Sequence, residues 1–314
     1  MKLSELITKY VSFNQAIGMS YRSEAEVLRS FCNAMGDIEI EEVNPSLVTK
    51  FLSGSGPITA FWHRKYGTLN GLYRFALCRG YTDSSPLPKT LPKRPEKLIP
   101  YIYSIDELQR LLAATESIES RTSPLMAATF RTILLTLYGT GLRISEALSL
   151  KIADVNFSDS LLIVRNSKFY KTRLVPLGPR LTEQLRLYSK KRQQLPGPLG
   201  EDAAFFSTRT GNPLSYSHMT KTFCLLRNLS RIRRRDGARF APRIHDIRHT
   251  FAVHRLEAWY REGADVQLML PRLSTYLGHL DVINTQHYLT MTPNLLQEAN
   301  QRFERYALSE VNHV

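Results

Sequence analysis

The stretch RIHDIRHTFA, Arg243 to Ala252, sets His245, Arg248 and His249 three and four positions apart. On a helix such positions share one face. One cation and two imidazoles then project together beside an apolar stripe of Ile244, Ile247 and Phe251. That combination suits an anion bound at the edge of a core. In TGLRISEALSL, Arg143 follows a glycine-rich break, and Glu146 lies three residues on among Leu142, Ile144, Ala147, Leu148 and Leu150. On an open surface such a pair contributes well under ~1 kcal/mol. At a core edge the carboxylate instead holds a planar guanidinium fork, which matches phosphate. SLLIVRNSKFYKTRLVPL reads as two short strands, 161–165 and 173–177, joined by a turn that carries Lys168 and Lys171, with Arg173 beside it. A lysine there could protonate a leaving alkoxide. In STYLGHLDVINTQHYL, His279 follows Gly278 and Tyr288 comes nine residues later. A lone tyrosine in a helix is usually packing, so it becomes a candidate nucleophile only in this company.

The bulk charge points to the same kind of partner. Lys plus Arg number 42 against 28 Asp plus Glu, a net +14, and a protein this basic usually meets a polyanion, most commonly nucleic acid. Cys32, Cys78 and Cys224 lie far apart without a CxxC pair, which argues against a disulfide framework and a zinc site and fits a reducing cytoplasm. The N-terminal residues lack the apolar core of a signal peptide, and no run approaches a membrane span. A cytoplasmic protein with no membrane partner is expected. No Gly-rich phosphate loop or clustered acidic metal site is evident, so no cofactor and no metal is expected.

The elements that must position these residues are mostly helical. Residues 3 to about 80 show apolar residues at helical spacing, as in Leu3, Leu6, Ile7, Tyr10 and Val11, and the stretch from Ile58 ends at Gly80. Bases and aromatics alternate there, including Arg64, Lys65 and Arg74, which suits snorkelling cations or contacts to a DNA backbone. Five prolines and four bases between Pro86 and Pro100 predict an exposed linker. We place helical residues 1–92 before a linker at 93–100, and a second domain at 101–314. That domain opens on a capping box, Ser104 with Glu107, followed by an apolar helix from Pro124 to Tyr138 that stops at Gly139 and Gly141. The fold class is mainly α with a small sheet.

Taken in order, TGLRISEAL, a lysine-bearing hairpin ending in RLVPL, HDIRHTFA, and LGH with a tyrosine nine residues on resemble the tyrosine recombinase (phage integrase) family. Each motif is modest alone; four in series, over nearly the whole chain, are specific. The resemblance implies an N-terminal helical core-binding domain and a C-terminal catalytic domain, forming a C-shaped clamp on DNA. It implies catalytic arginines at Arg143 and Arg248, active-site histidines at His245 and His279, the nucleophile at Tyr288 and a supporting carboxylate at Glu146. His245 would accept the tyrosine proton. The family's turn carries glycines around its lysine, whereas this one is SKFYKTR. Counting back from RLVPL selects Lys168, with Lys171 as fallback. His249 is expected to be structural or to stand behind the residues that touch the phosphate, and Tyr276 competes only weakly with Tyr288 because it precedes His279.

The same resemblance implies cutting and rejoining of DNA through a covalent 3′-phosphotyrosyl intermediate, without ATP or metal, for integration, excision, transposition or resolution. The partner would be double-stranded DNA with a specific recombination site, bound by a homotetramer, or a heterotetramer with a second recombinase, on two sites. Arg64, Lys65, Arg74, Lys171, Arg173 and the run containing Arg233, Arg234 and Arg235 are the expected DNA contacts. With helical spacing from residue 3, no arm-binding domain ahead of the core-binding one is expected. The segment PNLLQEANQRFERYAL could pack on its own domain or on a neighbouring protomer. Two rival readings use the same fold: a type IB topoisomerase-like enzyme, and a DNA-binding protein without catalysis.

Overall fold

A computed structural model describes residues 1–96, 98–118, 126–165, 172–279, 281–290, 295–301 and 304. By internal contacts the chain divides into one unit of Met1–Leu98 and a second that starts at Ile99.

The first unit holds four helices: α1 (Leu3–Ala16), α2 (Arg22–Met35), α3 (Pro45–Ser53) and α4 (Ala60–Cys78). Their starts follow from local chemistry. The Asn44 side chain accepts from the Ser46 amide, with Pro45 in the first turn of α3, and the Thr59 hydroxyl accepts from the Phe61 amide at the start of α4. The apolar faces close on one core around Leu3, Leu6, Leu28, Phe31, Leu69 and Leu72.

The second unit begins with α5 (Ile105–Ala114), where the expected capping box is present: Ser104 Oγ accepts from the Glu107 amide at 3.1 Å, and Glu107 Oε2 from the Ser104 amide at 2.9 Å. Next come α6 (Ala127–Thr140) and α7 (Ile144–Leu148). The expected stop at the glycine pair is half right. Gly139 remains helical, and its missing side chain makes room for Leu181, whose Cδ2 would lie 2.8 Å from a Cβ there. Gly141 is the breaker, in the left-handed conformation at φ 63°.

The sheet has three antiparallel strands rather than two: β1 (Val155–Asn156), β2 (Leu161–Val164) and β3 (Arg173–Pro176), in that order. Leu162 pairs with Val175 and Val164 with Arg173. Leu162, Val164 and Val175 are buried, so the strands' alternation puts one face on the core. Helices α8 (Pro179–Gln193), α9 (Tyr216–Leu229), α10 (Asp246–Arg261), α11 (Val266–Leu277) and the short α12 (Ile283–Gln286) follow, and a 3-10 turn, His287–Thr290, comes directly after. The mainly α class with a small sheet is the one the sequence predicts.

Two apolar clusters matter for function. One packs α5, α6 and the sheet against Ile244 and Ile247 at the start of α10. The other joins Phe251 and Leu256 of α10 to Leu270, Leu273 and Leu277 of α11, and takes in Tyr288 and Leu295. Residues 295–301 thus begin by packing on their own unit, with Glu298 3.0 Å from Arg261.

Candidate active site

Glu146 is the hub of the site. It sits in the first turn of α7, only 8% exposed. Its Oε1 accepts from Arg143 Nη1 at 2.7 Å and from Arg173 Nη1 at 3.1 Å. Its Oε2 accepts from the Arg143 amide at 2.9 Å and from Arg173 Nη2 at 2.8 Å. Burial alone would raise its pKa. The hydrogen bonds and charge of Arg173, the Arg143 amide and the Arg143 charge outweigh that and hold it at about 2. Arg143 lies just beyond the Gly141 break, and its Nη2 reaches the Gly278 carbonyl at 3.3 Å. A third of its side chain remains exposed, so the fork is aimed yet accessible.

Arg173 corrects the sequence reading. Its place beside the hairpin turn predicts a DNA contact; instead its guanidinium is 12% exposed, spent on Glu146 and on the Tyr276 carbonyl at 3.1 Å. Strand alternation could not reveal this, because the side chain bends back to a carboxylate 27 residues earlier.

Arg248 is almost wholly enclosed on the inner face of α10, 3% exposed. Its Nη1 donates to the Gly141 carbonyl at 2.8 Å and its Nη2 to the Leu277 carbonyl at 2.7 Å. Glu146 Oε2 is 4.0 Å away. Burial and the Arg143 charge lower its pKa to about 10, so it stays cationic at neutral pH. The apolar stripe beside it is as expected: Ile244, Ile247 and Phe251 are all buried.

The first turn of α10 is fixed by residues that the sequence did not single out. Buried Asp246 accepts from the Arg243 amide at 2.9 Å and from its Nη2 at 2.7 Å. Tyr103 donates its hydroxyl to the Arg243 carbonyl, and its amide donates to Thr250 Oγ1. A carboxylate three residues after an arginine was the only available signal, and RIHD carries it.

The remaining sequence candidates gather around Arg248. Burial, Arg248 and Arg243 lower the pKa of His245. His279 Nδ1 lies 2.8 Å from the hydroxyl of buried Thr285, and burial with the neighbouring arginines brings its pKa to about 4. Tyr288 is 3% exposed; burial pushes its phenol up, and Arg248 opposes the shift. Its ring centroid is 5.6 Å from His249 and 6.2 Å from His279. Tyr276 stands apart, stacked on Phe251 at 5.7 Å with its pKa raised to about 12 by burial. Lys168 and Lys171 lie outside the described residues.

The other expected DNA contacts divide. Arg74, Arg233 and Arg235 are exposed, and Arg64 is half exposed with a loose 3.5 Å pairing to Glu24. Lys65 is not a free cation: it donates to the Phe51 carbonyl at 2.7 Å and lies over the Phe51 and Phe61 rings, and burial lowers its pKa. Arg234 is a brace, 6% exposed, bonded to Asp236 and to the Ile99 and Pro100 carbonyls. It helps to shape a groove of about 850 Å³ lined also by Arg110, Arg231, Arg233 and Arg235. Among the described residues no group of three His, Cys, Asp or Glu side chains could hold a metal ion, and no helix is long and apolar enough to cross a membrane.

Comparison with known proteins gives a consistent result. The phage integrase family matches residues 103–294. The Sinorhizobium fredii chain y4rB, provisionally assigned as an integrase/recombinase, is 32% identical over 96% of this chain and 96% of its own. The tyrosine recombinase XerC of Chlorobaculum tepidum is 35% identical over 75% of this chain and 70% of its own. Among solved structures, the integrase of transposon Tn1549 in complex with transposon right-end DNA superposes with a TM-score of 0.70, covering 98% of this chain and 100% of that one at 16% identity. At that identity the likeness is one of fold.

Proposed function

The chain belongs to the phage integrase family, and we propose that it acts as a site-specific tyrosine recombinase with Tyr288 as nucleophile. The observation that carries this reading is the pair of guanidinium groups, Arg143 and Arg248, held by Glu146 and by backbone carbonyls beside one buried phenol. Two fixed cations next to a hydroxyl nucleophile suit a phosphodiester, whose non-bridging oxygens they neutralise as charge builds up.

A free phenol is only about 0.1% ionised at neutral pH. Burial makes Tyr288 less acidic still, so it needs a proton acceptor, which the family pattern places at His245. Because His279 Nδ1 is engaged with Thr285, its Nε2 is left to meet a non-bridging oxygen. Tyr288 Oη attacks phosphorus, the 5′ oxygen departs with a proton from Lys168 or Lys171, and a 3′-phosphotyrosyl bond remains. A second strand's 5′-hydroxyl then reverses the step on a new partner. The adduct conserves the bond energy, so the exchange calls for neither ATP nor a metal.

Double-stranded DNA carrying a recombination site is the substrate, taken up in the cytoplasm. Residues 1–92 serve as the core-binding domain, 93–100 as the linker and 101–314 as the catalytic domain. Exposed Arg64, Arg74, Arg233 and Arg235 contact phosphates. The working assembly is a homotetramer, or a heterotetramer with a second recombinase, on two sites.

The test uses nicked duplexes drawn from DNA flanking the protein's own gene, so that the short cleaved fragment diffuses away. Wild type is expected to give an SDS-resistant protein–DNA band, and Tyr288→Phe none. An adduct that persists in Tyr288→Phe overturns the nucleophile, and no adduct from wild type overturns the enzyme.

A further inference from the structure

Three rings stand in series beside Arg248. The centroids of His245 and His249 are 5.2 Å apart with planes at 83°, and those of His249 and Tyr288 are 5.6 Å apart at 57°. His249 is therefore the ring between the other two; among the described residues no ring contact joins His245 to Tyr288 directly. His279 flanks Tyr288 nearly parallel, at 25°, with its Nδ1 already on Thr285. A parallel imidazole keeps its in-plane lone pairs away from the phenol.

His249 Nδ1 is enclosed and has no hydrogen-bond partner among the described residues. Enclosed polar atoms without partners are rare in folded proteins and call for a role. Burial and His245 bring the His249 pKa to about 4, so the ring is neutral at physiological pH, with one bare nitrogen ready to accept. An arriving diester brings negative charge that raises its basicity. At 5.6 Å between centroids His249 is the imidazole next to the phenol, nearer than His279, and the contacts of a proton acceptor tighten in many sites once substrate is bound.

We propose that His249 is the immediate acceptor of the Tyr288 phenolic proton, standing between the nucleophile and His245. This rests on the recombinase reading above. The Tyr288 Oη–H bond breaks and an N–H bond forms at His249 Nδ1. The freed electron pair makes the bond to phosphorus, and the 5′ oxygen leaves with the hairpin lysine's proton. His245 stands behind His249, its ring centroid 5.2 Å away and the two planes at 83°. On rejoining, the 5′-hydroxyl attacks phosphorus and gives its proton to the now neutral hairpin lysine, the bond to Tyr288 Oη breaks, and His249 returns its proton to the phenolate. No other reactant is required.

The experiment is single-turnover cleavage of the nicked duplexes by wild type and His249→Asn, each with Tyr288 or with 3,5-difluorotyrosine at position 288. The fluorinated phenol is far more acidic and needs little help to ionise. His249→Asn is expected to slow cleavage roughly 100-fold, the lower end for one proton-transfer group. Difluorotyrosine should restore most of that loss in His249→Asn and change wild type little. The ratio of the two phenols is taken within each background, on the DNA-bound fraction, so partial loss of folded protein cancels. A wild-type rate in His249→Asn overturns the proposal, as does an equal defect with both phenols, which marks a purely packing role. If wild type forms no adduct, the recombinase reading falls together with this one.

Discussion

Arg173 and Glu146 are joined by a two-bond fork, at 3.1 and 2.8 Å, and the same carboxylate holds Arg143 at 2.7 Å. One buried anion thus orients two cations: one faces the site, and the other locks strand β3 to the α7 turn. Arg173 also reaches the Tyr276 carbonyl at the end of α11, so the sheet, α7 and α11 meet at this point.

The Glu146 carboxyl has its folded pKa held near 2 against an ordinary 4.5. Its stabilisation is complete above the unfolded value and is lost as pH falls toward about 2. Glu146→Gln should therefore cost about 3 kcal/mol at neutral pH. Urea unfolding from pH 7 down to 2 should show the gap to wild type closing below about pH 4.5. A gap that stays constant in acid would contradict this.

Gly278 ends α11 in the left-handed region at φ 68°, and a Cβ there would lie 2.8 Å from Arg173 Nη1. Gly278→Ala combines backbone strain with a displaced guanidinium, and should lower stability by roughly 2 kcal/mol. Adduct formation should fall as well, because the Gly278 carbonyl holds Arg143. Unchanged unfolding and cleavage would show that the turn tolerates a side chain.

Thr285→Val removes the hydroxyl that holds His279 Nδ1. With its tautomer and orientation no longer fixed, His279 should donate to the phosphate less well, slowing cleavage roughly tenfold, the rate equivalent of one hydrogen bond. DNA affinity should stay unchanged, since Thr285 is fully buried. A weaker affinity at an unchanged cleavage rate would move Thr285 from the chemistry to DNA binding.

Lys168 and Lys171 can be separated by the leaving group. A duplex with sulfur in place of the bridging 5′ oxygen expels a thiolate, which needs no proton donor because a thiol's pKa is about 8.5. Lys168→Met should cleave the oxygen substrate slowly and the sulfur substrate at nearly the wild-type rate. Rescue in Lys171→Met instead would reassign the acid.

Much of the fold was legible because its signals are local. The Ser104–Glu107 cap lies within one turn, the Ile244–Ile247–Phe251 stripe within two, and the hairpin's alternation within a few residues. Side-chain destinations were less legible. Arg173, Arg234 and Lys65 looked like free cations, since charge type is written in the sequence while its partner is not. Asp246 and Thr285 carry little signal of their own in the sequence because each acts through a neighbour, Asp246 by holding Arg243 and Thr285 by holding His279.

The sequence by itself determined the chemical inventory and its order: arginine with glutamate, hairpin lysines, the histidine–arginine helix, and the late histidine and tyrosine. Those follow from residue type and short spacing. Only the tertiary structure decided how the inventory is aimed. Arg143 is held at Gly278, 135 residues away, and Arg248 at Gly141, 107 residues away. Such contacts form when α6, α10 and α11 pack, which brings backbone carbonyls to the part-exposed Arg143 and the enclosed Arg248. A buried cation must find acceptors wherever the core supplies them, and no periodicity in the chain records where that will be.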